Sequence, residues 1–124
     1  MTRTRCLLAA ALLAAASAAD AKDQPYDPKG LARYDVSYVQ CEASFPEMKG
    51  HRDDAYLSLW RVKPSAKTAA RLAEIRSGSS YQAERKVATT RQAASASEPE
   101  AAKALQRQCR GLWGEMERMP RPAR

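Results

Sequence analysis

The chain has a single histidine in 124 residues, and that scarcity removes most histidine chemistry. His51 lies near Glu47, Asp53 and Asp54, a mixed set that lacks the several fixed ligands of a closed metal site. Asp53 and Asp54 are adjacent in sequence, so on a helix they point about 100° apart and form no carboxylate pair. Met48, Met116 and Met119 fall on apolar stripes, where methionine is an ordinary core filler rather than a soft-metal ligand. No serine has the glycine pattern of a nucleophile elbow, and no glycine-rich phosphate loop is present. The expectation is no enzyme, no cofactor and no metal, and no turnover that depends on His51. Alternating β-branched segments are missing as well, which excludes a strand-built fold. There is no internal repeat and no Cys-x-x-Cys spacing.

What is present begins with an export pattern. Arg3 and Arg5 precede an apolar run from Cys6 to Ala16, followed by the small residues Ser17, Ala18, Ala19 and Ala21. This is the order of a cleaved signal peptide, expected over residues 1–21, with cleavage after Ala18, Ala19 or Ala21. The run is too short for a membrane span, and Asp20, Lys22 and Asp23 follow it closely. The working chain is then a periplasmic or secreted protein without a transmembrane segment. Cys6 would leave with the signal, and Cys41 and Cys109 remain. Two cysteines in an oxidising compartment are expected to pair.

Helical periods dominate the rest. Residues 22–32, with Pro25, Pro28 and Gly30, read as a flexible lead-in. Tyr34, Tyr38, Cys41, Phe45 and Met48 recur at three and four residues, which predicts a helix that ends near Pro46. Gly50 marks a turn. A second helix is expected over Arg52–Val62, a third over Ser65–Arg76 with Ser65 as N-cap, and a weaker fourth over Tyr81–Ala94. The last runs from a Ser97/Glu100 capping box through Leu105, Cys109, Leu112, Met116 and Met119. Residues 120–124 read as a flexible tail. Cys41 and Cys109 both lie on apolar stripes, so their helices can face each other. The fold class is all-α: one disulfide-bonded bundle of four to five helices over residues 33–119. Its core is expected from Tyr38, Phe45, Leu59, Trp60, Leu105, Leu112 and Trp113, with residues 65–94 as a thinner outer layer.

Charge is unevenly spread. Residues 22–60 hold five basic and seven acidic side chains, whereas residues 61–124 hold fourteen basic and six acidic. A basic half favours an acidic partner. The binding candidates are Lys67, Arg71, Arg85 and Lys86, together with Trp60 beside Arg61 and Trp113 near Arg110. Tryptophan and arginine dominate interface hot spots. Base-stacking aromatics are nearly absent from the basic stretch, Tyr81 standing alone, which excludes specific nucleic-acid recognition. In general arrangement the chain resembles small exported helical proteins of Gram-negative bacteria. The expected function is non-enzymatic binding of another envelope or secreted protein, as an inhibitor, a toxin-neutralising protein or a chaperone. The alternative is an accessory protein that holds an anionic membrane or polymer surface through its basic half.

Overall fold

A computed structural model describes residues 24–118. The expected signal peptide, its cleavage site, Met119 and the tail lie outside the described residues. Five α-helices and two short 3-10 turns account for the described chain, and no strand occurs among these residues. The helices are α1 (Pro28–Ser44), α2 (Arg52–Leu59), α3 (Ala66–Ser77), α4 (Ser79–Ser95) and α5 (Pro99–Arg118). None is long and apolar enough to cross a membrane.

The lead-in expectation is corrected from residue 24 onward. Gln24–Tyr26 form a 3-10 turn, and α1 starts at Pro28. The Asp27 side chain accepts from the Gly30 backbone N–H at 3.1 Å, and Pro28 occupies a first-turn position where no amide donor is needed. Leu31 and Ala32 are fully buried, which fixes the first turn of α1 in the core. The start of α3 agrees with expectation. Ser65 Oγ accepts from Thr68 N, and Thr68 Oγ1 accepts from Ser65 N. Gly50 makes the anticipated turn at φ +84°, a conformation that costs glycine little. Gly78 separates α3 from α4. α5 begins later than its Ser97 cap predicted: the Ala102 amide donates to Glu98 O, so the first helical carbonyl is that of Glu98.

The core has two centres. One joins Leu31, Ala32, Tyr56, Leu57, Leu72 and Tyr81, with Tyr26, Tyr34, Val62 and Ile75 packed around them. The other joins Tyr38, Cys41, Met48, Ala55 and Cys109, flanked by Phe45, Leu105, Leu112, Trp113 and Met116. Residues 65–94 are a thin layer, as expected: Leu72, Tyr81 and Ala88 are buried, whereas most of the stretch, Val87 included, is exposed. The Cys41–Cys109 disulfide forms, with Cα atoms 5.5 Å apart. It ties α1 to α5, as the two apolar stripes implied.

α2 departs most from its sequence reading. It ends at Leu59 rather than Val62. Leu59 is 47% and Trp60 39% exposed, so neither belongs to the expected core. Phe45, Leu105, Leu112 and Trp113 are half-buried, and Tyr38 alone of that set is fully enclosed. The reason lies in the position of α2. It sits between both centres, giving Ala55 to one and Tyr56 and Leu57 to the other. Four consecutive residues, Ala55 to Ser58, are buried, so no single stripe describes the helix. Residues one turn further on, Leu59 and Trp60, are left outside.

Candidate binding surface and the buried ion network

The exposed end of α2 is closed by a specific cap. The Arg61 amide donates to Ser58 O at 3.2 Å, and the Val62 amide to Leu57 O at 2.9 Å. These are the two bonds of a Schellman motif, with Val62 packed on the centre that contains Leu57. The residue in the left-handed position is Arg61, at φ 54°. Glycine is usual there, because a Cβ in this region costs roughly 1–2 kcal/mol. The cap turns the chain so that Leu59, Trp60 and Arg61 face solvent together. The surrounding stretch, residues 59–73, holds Arg61, Lys63, Lys67 and Arg71 and no acidic side chain. Lys63 and Lys67 are exposed. Arg71 lies over the Tyr26 ring, 3.8 Å from its centroid, so part of its role is to cover the first core centre.

The other candidates are dispersed. Trp113 is half-buried and meets His51 edge-on, with centroids 5.5 Å apart. His51 precedes α2 and Trp60 follows it, so the two tryptophans are separated by the helix length, roughly 13 Å for nine residues. They do not form one patch. Arg110 is exposed, 5.8 Å from the Phe45 ring centroid. Arg85 and Lys86 line a broad open depression of about 450 Å³ along α4, with Gln82, Thr89 and Thr90. A smaller depression of about 290 Å³ is lined by Glu42, Gly50, Arg52, Asp53 and Asp54. No group of three histidine, cysteine or carboxylate side chains is placed to hold a metal among the described residues.

A buried polar network was not foreseen. Asp35 of α1 is 2% exposed. Arg76 of α3 grips it with Nε to Oδ2 at 2.8 Å and Nη2 to Oδ1 at 2.9 Å. The Tyr81 hydroxyl of α4 also donates to Asp35 Oδ2. Arg76 Nη2 bonds Asp53 Oδ1 of α2 at 2.8 Å, and Arg52 Nε bonds the same oxygen at 3.2 Å. One carboxylate thus ties α1, α3 and α4, and Arg76 extends the tie to α2. Burial works against the charge of Arg76, but its hydrogen bonds to Asp35 and Asp53 raise its pKa above the ordinary value. Burial likewise pushes Asp53 up, yet the hydrogen bonds and charges of Arg76 and Arg52 outweigh it and hold the carboxyl below its usual range. The sequence carried half of this signal. Asp35 follows Leu31 and precedes Tyr38 on a buried face, and a carboxylate there requires a buried cation. Which cation supplies it, 41 positions away, is invisible to spacing.

Asp53 sets an acid limb. Near pH 4 the unfolded chain, with an ordinary carboxyl pKa of about 3.9, binds more protons at this site than the folded one. The stabilisation is complete above that value and disappears as pH falls through the lower folded pKa. Asp53→Asn should therefore lower stability at neutral pH and flatten its fall below about pH 4. Urea midpoints across that range test this, and an unchanged acid slope would refute it.

No known protein family, characterised protein or solved structure matches the chain.

Proposed function

We propose that this is an exported, non-enzymatic binding protein that engages an acidic partner protein through the α2–α3 corner, as an inhibitor, a toxin-neutralising protein or a chaperone. The observation that carries this reading is Arg61. It occupies the left-handed position of a helix cap that glycine would fill with less strain, directly after the exposed pair Leu59–Trp60. Backbone strain of this kind is retained where the side chain serves a purpose. Two exposed apolar anchors, flanked by cations in a stretch without carboxylates, suit a partner that offers an apolar pocket with an acidic rim. The reading also draws on where the reactive groups are held. His51 abuts Trp113, both cysteines are joined, and the buried carboxylate Asp35 is bound by Arg76 and Tyr81.

The corner makes opposed predictions for stability and binding. Arg61→Gly should raise stability by roughly 0.5–1 kcal/mol, by relieving the left-handed strain, and should weaken binding. Trp60→Ala should cost about 2 kcal/mol or more of binding energy, the scale of a hot spot, with little change in melting temperature. The partner is obtained by photo-crosslinking from position 60 in intact cells, and affinities of the variants are then measured by calorimetry. Wild-type affinity for both variants would overturn the assignment.

A second reading rests on the α4 depression with Arg85 and Lys86: attachment to an anionic membrane or polymer surface. Neutralising Arg85 and Lys86, which line the depression and lie outside the corner, separates the two. Lost adhesion to anionic vesicles or polymer, with partner affinity insensitive to Trp60→Ala, would favour it.

A further inference from the structure

The forces that hold α5 differ in kind from those that hold the other four helices. α1 to α4 are joined by directional contacts. Asp35 binds Arg76 and Tyr81, Arg76 binds Asp53, and Tyr34 donates to Arg52 O at 2.7 Å. The first core centre, Leu31, Ala32, Tyr56, Leu57, Leu72 and Tyr81, draws on α1 to α4 and contains no residue of α5. α5 has one fully buried residue, Cys109. Its Leu105, Leu112, Trp113 and Met116 are half-buried against the second centre. Its ion pairs, Lys103–Glu100 and Arg118–Glu115, lie within the helix itself. Among the described residues, no hydrogen bond or ion pair of an α5 side chain reaches another helix. What remains is partial apolar contact, the edge-on meeting of Trp113 with His51, Arg110 near the Phe45 ring, and one covalent bond.

We propose that α5 is a redox-latched arm: reduction of Cys41–Cys109 by a dithiol releases α5 from a four-helix remainder that stays folded. A thiolate of the dithiol attacks one sulfur and forms a mixed disulfide. Its second thiol closes on the first, leaving two cysteine thiols and an oxidised, cyclic reductant. Two electrons and two protons pass to the protein. Release uncovers Tyr38, Met48 and Ala55 on the remainder, and Leu105, Leu112, Trp113 and Met116 on the arm. The surface gained is apolar on both parts, whereas the corner at Leu59–Arg61 is untouched, so the device stands apart from the binding reading.

Both cysteines are almost wholly buried, so the reductant reaches them only as α5 lifts. Hydrogen exchange on the full exported chain, followed by mass spectrometry with and without dithiothreitol, reads this directly. Amides of α5 should exchange on the order of thirty- to a thousandfold faster after reduction, the equilibrium factor a disulfide commonly supplies. Amides of α3, α4 and the first half of α1 should keep their protection. The Cys41→Ser/Cys109→Ser variant should show the same pattern without reductant. Loss of protection across α3 and α4 would mean one cooperative unit and would overturn the proposal. Unchanged α5 exchange once mass confirms reduction, or a disulfide that resists dithiothreitol in the folded chain, would overturn it too.

Discussion

Replacing Arg76 with methionine should destabilise the protein by about 3–5 kcal/mol, the usual cost of stranding a buried charge. Asp35 would keep the Tyr81 hydroxyl and an Arg52 guanidinium at 3.8 Å, but would lose both bonds of its bidentate partner. Asp53 would lose a bond in the same step. A domain of this size is stable by only about 5–10 kcal/mol, so much of the margin disappears. The cause is the stranded carboxylate rather than a missing attraction, which a second variant separates. Asp35→Asn/Arg76→Met keeps an acceptor for Tyr81 and removes the charge, and should recover a substantial part of the loss. Denaturant midpoints for the two singles and the double close the cycle. A single Arg76→Met variant within about 1 kcal/mol of wild type, the range of an exposed pair, would show that solvent already screens the network.

The second large effect lies at alkaline pH. Burial first, then the charges of Glu42 and Asp54, push Tyr38 from 10.0 up to about 12. Burial first, with Asp27 and Asp35 adding, brings Tyr56 to about 12. Burial also raises Tyr34 and Tyr81. The unfolded chain gives up these protons near pH 10, the folded chain only later. The tyrosines' contribution is therefore fully present below pH 10 and is lost as pH rises toward 12. A rise of that order is worth roughly 3 kcal/mol per tyrosine, so Tyr38 and Tyr56 together remove a large part of the margin. Tyrosinate absorbance should appear together with loss of helical circular dichroism, in one transition between pH 10 and 12. Tyr38→Phe should flatten that limb while lowering stability at pH 7 by about 1 kcal/mol, because the hydroxyl bond to Met48 O is lost. Tyrosinate that accumulates below pH 10 with the helices intact would contradict the enclosed positions of these rings.

What the sequence determined by itself was the helical class, the caps that are local, and the covalent bond. Spacings of three and four, the absence of alternating strands and the residues Ser65, Gly50 and Pro46 act over a few positions, where chemistry and geometry are coupled directly. The disulfide was legible because each cysteine sat on the apolar stripe of its own helix. The tertiary structure decided the rest, and α2 shows why. Leu59 and Trp60 were expected in the core, but a short helix between two core centres is buried on several sides at once and leaves them outside. The Schellman cap then turned Leu59, Trp60 and Arg61 outward, into the surface proposed here for binding. The Asp35–Arg76 pair was equally out of reach. Local patterning can show that a carboxylate lies on a buried face. Only the packing of α3 against α1 selects the guanidinium that satisfies it.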